Sequence, residues 1–328
     1  MGVESRDLNR TTGGVGMDEP QDDILGQLQD YGLKARLTSL EHVGSMGDEL
    51  LSLMNQGLIG EEFGRINLDR MGFDHTTIMP KARSILVVAS PQSMTRLYFE
   101  YQGEMHCITL PPTYVHRELH EKVKKALNAV LPQHGYDYKG VRLPLKMLAA
   151  STGLGMYGRN NICYVQGMGS FFGLCAFYAD IPCTSDSWTD KAMMPECAGC
   201  SECIEACPTG SISAARSVID ASKCLTYFNE REDSFPVWVK PHWHNAIIGC
   251  MRCQLACPQN EGFLDKVEHE VTFDAAETSI LLEGKSLPEL PDPLREKLDQ
   301  LSLVDCYSVL SRNLSSLLNG RSCGFGSD

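Results

Sequence analysis

Eight cysteines lie between Cys197 and Cys257, at spacings that suit metal ligation. The first run is Cys197-x2-Cys200-x2-Cys203-x3-Cys207-Pro208. The second is Cys250-x2-Cys253-x3-Cys257-Pro258, with Cys224 upstream. Three thiolates spaced two residues apart can wrap one iron–sulfur cube from a single loop. The fourth, just before proline, points away and serves a second cube. This arithmetic gives one [4Fe–4S] cluster to Cys197, Cys200, Cys203 and Cys257. It gives the other to Cys250, Cys253, Cys207 and Cys224. Cys224 enters because the second run lacks a nearby first cysteine. Two four-cysteine zinc sites are the alternative, but zinc ligands come as separated Cys-x2-Cys pairs rather than a triple run. Cubes carry electrons and break no substrate bonds, so another part of the chain must use them. An acidic host disfavours added electrons, so low potentials are expected.

Other residues invite weaker readings. Gly158-Arg159-Asn160-Asn161 forms a polar turn whose amides and guanidinium suit a cofactor's amides or phosphate. The same turn could simply cap its own backbone. Tyr157, beside it, is a candidate catalytic proton donor, a ring stacked on a cofactor, or a core aromatic. His242, Trp243 and His244 form an aromatic–polar knot expected to cover the second cluster. Ile204, Ile212, Ile219 and Leu225 are expected as apolar cover for both. Cys107, Cys163, Cys175, Cys183, Cys306 and Cys323 have no ligand spacing and read as small buried side chains or surface thiols.

Strands and helices must position these groups. Leu33–Leu40 suits a short strand and Glu49–Leu58 an amphipathic helix. Ser84–Ala89 is a continuous apolar run, as in a buried strand. Leu97–Tyr101 and Met105–Leu110 flank Gly103 as a hairpin. Tyr114–Val130 and Leu143–Thr152 have helical spacing. Ile162–Val165 and Ser170–Tyr178 read as strands. The fold class expected is α+β: an α/β cofactor-type domain, then a two-cluster bacterial ferredoxin-like domain and a short helical tail. The boundaries expected are a mobile N-terminus at 1–22, a corrinoid or substrate domain at 23–190, the cluster domain at 191–262 and the tail at 263–328.

Bulk properties narrow the function. The chain has 328 residues, 43% hydrophobic and 22% charged, so the core is large and the cysteines need not act as staples. The formal charge of −13 does not draw phosphate backbones or anionic lipid. Arg117, Lys122, Lys124 and Lys125 read as a solvated helix face. No apolar run reaches the roughly 18–20 residues of a membrane span, and Met1–Gln21 has no signal-type apolar core. A cytoplasmic protein without membrane contact is expected.

Several motifs together resemble the epoxyqueuosine reductase family. They are Leu145-Lys146-Met147-Leu148-Ala149, Gly153-Leu154-Gly155-Met156-Tyr157-Gly158-Arg159-Asn160, and Gly169-Ser170-Phe171-Phe172-Gly173-Leu174. Cys224-Leu225-Thr226-Tyr227, Cys250-Met251-Arg252-Cys253-Gln254 and Cys257-Pro258-Gln259-Asn260 extend the likeness over residues 80–262. The resemblance implies a cobalamin-dependent protein, related in plan to reductive dehalogenases, whose two [4Fe–4S] clusters feed the corrin cobalt. It departs from the family pattern at two positions. The family's catalytic Asp, three residues before the proline that opens the Ala-rich helix, is replaced by Val141. An acidic residue early in that helix is replaced by Lys146, and Asp137 is out of register. Valine cannot donate a proton. The reading is therefore a reductase of a small or modified substrate, supplied by a donor such as ferredoxin or flavodoxin, with transfer RNA not expected as partner. A carrier without its own substrate is the alternative. An epoxyqueuosine reductase acting on tRNA ranks third.

Overall fold

The computed structural model describes residues 20–216 and 218–320. The expected mobile segment lies outside these up to residue 19, as does Cys323. Helix α1 (Pro20–Asp30) opens the described chain, followed by strand β1 (Lys34–Ser39), α2 (His42–Asn55), α3 (Glu61–Asp69) and α4 (His75–Ile78). Then come β2 (Ser84–Pro91), β3 (Met94–Tyr101), β4 (Glu104–Leu110), α5 (His116–Val130), β5 (Tyr138–Val141) and α6 (Leu145–Ser151). The strands β6 (Met156–Tyr157), β7 (Cys163–Tyr164) and β8 (Phe172–Ala179) complete the first half.

The main sheet has the order β1-β2-β8-β5, and every neighbour is antiparallel. Strand β2 is apolar from Ile85 to Ala89 because both its faces are covered. Leu86 and Val88 face a core shared with α1 and α5, including Ile24, Leu28, Val123 and Leu127. Ile85, Val87 and Ala89 face a second core with Met46 of α2 and Met147 and Leu148 of α6. Side-chain alternation along one strand thus builds both layers. Strand β5 has no apolar run, and its pairing to β8 supplies what its sequence does not signal. The expected strand at Ile162–Val165 shrinks to β7, a two-residue ladder with β6. Between these lies the 158–161 turn.

The cluster domain contains α7 (Glu202–Glu205), α8 (Leu225–Asn229) and α9 (Arg252–Leu255). The tail begins with a strand, β9 (Val267–Phe273), before the helices α10 (Ala275–Glu283), α11 (Asp292–Gln300) and α12 (Tyr307–Asn319). Strand β9 pairs parallel to β3, so a chain segment distant in sequence completes the β3–β4 hairpin. Phe99 and Phe273 stack there with ring centroids 4.6 Å apart. The three tail helices cover this small sheet, and Ile247 and Ile248 of the cluster domain enter the same core. Tail, hairpin and cluster domain therefore share buried apolar surface. Among the described residues, no helix is long and apolar enough to cross a membrane.

Candidate metal centre and adjoining cleft

The two cysteine runs fold alike. Gly199, at φ 78°, precedes Cys200, and Gly249, at φ 69°, precedes Cys250. Each run continues into a one-turn helix, α7 carrying Cys203 and α9 carrying Cys253. Each then ends in Cys-Pro, at Cys207-Pro208 and Cys257-Pro258. By this correspondence the place of Cys197 is taken in the second run by Ile247, a core residue with no exposure. The second set is thus short of one thiol unless Cys224 supplies it.

The surroundings of three thiols show which others lie near them. Cys203 is pushed up by burial and then by the neighbouring thiols of Cys197, Cys200 and Cys257. Cys253 is pushed well above the ordinary thiol range by burial, with Cys250, Cys224, Cys207 and Cys203 as neighbours. Burial raises Cys250 to about 11, with Cys224 adding to it. Burial also acts upward on Cys207, but hydrogen bonds from Thr209 and from the Thr209, Ser211 and Ile212 amides outweigh it. All cysteines among the described residues are free. Soft donors packed this closely repel one another as thiolates, and iron removes that conflict by binding them. The donor chemistry fits two [4Fe–4S] clusters.

The 158–161 turn is wired into both groups. The Arg159 amide donates to Cys197 Sγ at 3.4 Å, and its guanidinium donates to the Cys197 carbonyl at 2.7 Å. Asn160 is 3% exposed. Its side-chain amide donates to Tyr164 Oη at 2.9 Å and to the Cys253 carbonyl at 3.4 Å, while its oxygen accepts from the Ile162 amide. Asn161, at φ 61°, accepts from the Ile219 amide. A Cβ on Gly158 would sit 2.6 Å from the Tyr164 ring, so only glycine fits. The polar groups of Asn160 are spent on protein contacts. Arg159 keeps one buried Nε without a partner. Tyr157 faces Cys163 and Glu49, and burial raises its phenol far above the usual range.

A second network locks the cluster domain to the main sheet. Asn260 is fully buried. It accepts from the Ser170 amide at 2.9 Å and donates to Ser170 Oγ and the Gln254 carbonyl, each at 2.8 Å. Ser170 Oγ donates to Gln254 Oε1 at 2.9 Å. A Cβ on Gly169 would lie 2.6 Å from Asn260 Oδ1, which explains the Gly-Ser pair.

The aromatic knot lies over the second group. Arg252 of α9 donates to the carbonyls of His242 and Trp243, each at 2.9 Å, and Asn245 donates to Cys250 Sγ at 3.7 Å. Of the expected apolar cover, Ile212 and Leu225 are buried, and Ile204 and Ile219 half-buried. His244 is 8% exposed and its Nδ1 has no partner. Burial, then the Arg312 and Arg252 cations, lower its pKa to about 4. A histidine neutral in the fold and readily protonated when unfolded stabilises above its ordinary value of 6.5. That stability is lost as pH falls through this window toward about 4. Between pH 7 and pH 5 the expected loss is at most about 2 kcal/mol. Thermal melts at both pH values should show a smaller drop for His244→Gln than for wild type, and equal drops would refute the assignment.

Near the second group, Lys146, Glu230 and Tyr114 come from distant elements that sequence spacing did not connect. Lys146 opens α6, Glu230 follows α8, and Tyr114 precedes α5. The Tyr114 hydroxyl donates to the Glu230 carboxylate. Lys146 Nζ donates to the Asn161 carbonyl at 3.1 Å. Lys146 and Glu230 are both open to solvent. Yet desolvation is the leading influence on each, lowering Lys146 and raising Glu230. Val141 lies elsewhere, against Gly72 and beside the second sheet core.

Comparison with known proteins agrees with this arrangement. The sequence model of the family described as "4Fe-4S double cluster binding domain" matches residues 196–260. An epoxyqueuosine reductase of Burkholderia pseudomallei is 38% identical over 179 residues, 53% of this chain and 38% of that protein. One of Cellulophaga algicola is 31% identical over 175 residues, 52% of this chain and 55% of that protein. The chain thus spans about half or less of these curated relatives. The solved epoxyqueuosine reductase of Streptococcus thermophilus superposes with a TM-score of 0.64 at 18% identity, over 91% of this chain and 80% of that one. That of Bacillus subtilis gives 0.62 at 19%, over 90% and 80%. The chain is therefore similar to the epoxyqueuosine reductases over about half of its sequence and in its fold, and its residues 196–260 match a 4Fe-4S double cluster binding domain.

Proposed function

We propose that this iron–sulfur reductase passes electrons through two [4Fe–4S] clusters to a corrinoid bound beside the second cysteine set. Cys197, Cys200, Cys203 and Cys257 would hold one cluster, and Cys207, Cys224, Cys250 and Cys253 the other. The observation that carries the reading is the grouping of Cys203 with Cys197, Cys200 and Cys257, and of Cys253 with Cys250, Cys224 and Cys207, with Cys203 of the first set also near. A corrinoid bound beside them would supply a strongly reducing cobalt centre. The chain's own part is to keep the electron path short and covered, and to present polar groups to the cofactor. Tyr114 and Glu230 would orient a bound group by hydrogen bonding, and Lys146 would offer N–H donors. The turn at Gly158, Arg159, Asn160 and Asn161 is better suited to bracing the two cysteine sets than to holding the cofactor. A one-electron donor protein such as ferredoxin or flavodoxin would feed the clusters.

The test is anaerobic reconstitution with iron, sulfide and added cobalamin, followed by desalting. A retained corrinoid absorbance near stoichiometry supports the reading. Its absence, with both clusters in place, leaves an electron carrier without its own substrate. The names of the relatives favour one substrate, the epoxyqueuosine of tRNA, although Val141 stands at the place where the family has its Asp. Turnover of an epoxyqueuosine-modified stem loop, with binding weakened by salt, would establish that substrate.

A further inference from the structure

Both cysteine sets receive hydrogen bonds on sulfur, but the donors differ in kind. The first set has the Arg159 backbone amide, 3.4 Å from Cys197 Sγ, and the hydroxyl of Tyr164 beside Cys257. The second set has two polar side chains. Thr209 Oγ1 lies 3.4 Å from Cys207 Sγ. Asn245 Nδ2 lies 3.7 Å from Cys250 Sγ. An iron-bound sulfur is a thiolate without a proton, so at Cys207 the hydroxyl must be the donor. The Asn245 amide cannot turn over to present its oxygen, because that oxygen accepts from the Met251 amide at 3.0 Å. Met251 is fully buried, so no water stands ready to replace that acceptor.

The two sets also differ in enclosure. The cavity lined by Cys197, Cys200, Cys203 and Cys257 also touches the exposed Glu202 and Pro258, so the first set opens toward solvent. At the second set, Leu225 follows Cys224 and Met251 follows Cys250, and each is 2% exposed or less. Reduction adds negative charge to a cluster, and buried apolar surroundings disfavour that charge. Hydrogen bonds donated to sulfur offset the cost. We propose that Thr209 and Asn245 are positioning residues that raise the potential of the second cluster, so that the more enclosed of the two stays reducible by way of the first. The proposal rests on the iron–sulfur reductase reading above. It assigns these two side chains a task that cysteine spacing does not encode. Each acts through a ligand sulfur, and the electron comes from the one-electron donor protein.

The experiment is an EPR-monitored redox titration of the cluster-loaded, corrinoid-free protein under anaerobic conditions. Thr209→Val keeps the shape of the side chain and removes the hydroxyl, while Thr209→Ser keeps the hydroxyl. Asn245→Asp keeps the acceptor for the Met251 amide and removes the donor. In Thr209→Val and in Asn245→Asp the ratio of reduced to oxidised second cluster at a fixed applied potential should fall about tenfold, the weight of one hydrogen bond to a charged group, or about 59 mV for a one-electron couple. Thr209→Ser should titrate like wild type, and the first cluster should keep its potential in all three. Cys253→Ser, expected to hold only the first cluster, identifies the potential that belongs to it. A second-cluster potential unchanged in both Thr209→Val and Asn245→Asp would overturn the proposal. So would equal shifts in Thr209→Val and Thr209→Ser, or a shift of the first cluster instead. Iron and sulfide contents of the Thr209 and Asn245 variants equal to wild type exclude cluster loss as the cause. Corrinoid retention is measured separately, so its failure removes the cofactor reading without altering this result.

Discussion

Replacing Cys253 with serine is expected to remove one of the two clusters, lowering iron from about eight to about four atoms per chain. Cys253 has four thiol neighbours, those of Cys250, Cys224, Cys207 and Cys203, and burial is the leading influence on it. A serine alcohol there is far harder to deprotonate than a thiol and binds iron weakly. Cys224→Ser should give the same half loss if Cys224 is the fourth ligand of that set. Cys163→Ser should keep the full iron content, because Cys163 is a buried side chain of the second sheet core. Iron and acid-labile sulfide analysis, with EPR of the reduced proteins, reads each case. The magnetic interaction between neighbouring reduced clusters should vanish in Cys253→Ser. Full iron content in Cys224→Ser would be fatal to the ligand set, and would require another donor in the place where Ile247 replaces a cysteine.

The second large effect concerns Asn260. Truncation to alanine strips the Ser170 amide of its acceptor and leaves Ser170 Oγ and the Gln254 carbonyl each without one donor. All three lie in buried surroundings, and unsatisfied buried groups cost about 1–3 kcal/mol each. Relaxation and residual bonding between Ser170 and Gln254 bring the expected total to roughly 3–5 kcal/mol. For a chain of this size that corresponds to a fall in Tm on the order of 10 °C, with earlier loss of visible cluster absorbance on heating. Asn260→Asp separates the contributions. It keeps an acceptor for the Ser170 amide but loses both donors and buries a charge, so it should be no better than alanine. A Tm within about 1 °C of wild type for Asn260→Ala would show that the cluster domain is held to the sheet by other contacts.

Two networks give the resemblance motifs a physical meaning. The Gly-Ser pair at 169–170 and the Gln and Asn of the second cysteine run looked in sequence like unrelated signatures. They are the two halves of one buried joint. The Gly158–Asn161 turn had the composition of a ligand-binding loop. Its amides instead reach Cys197 Sγ and the Cys253 carbonyl, so it braces both cysteine sets. An amide donating to a ligand sulfur shifts cluster potential upward, opposing the lowering from the acidic protein as a whole.

The sequence alone determined whatever is encoded by short spacing. The paired cysteine runs follow from thiol chemistry and the reach of a few residues, so they could be assigned to two cubes before any coordinates. The apolar run at Ser84–Ala89 and the helical spacing from Tyr114 to Val130 likewise reflect local periodicity, and they became β2 and α5. Tertiary structure alone decided what depends on segments far apart in the chain. Strand β9 joins the hairpin across more than a hundred residues, and β5 exists because β8 offers it an edge. Tyr114 and Glu230 are hydrogen-bonded although no motif links them. Local spacing constrains only neighbours a turn or two away, whereas a cleft forms where separately folded surfaces come to rest against each other.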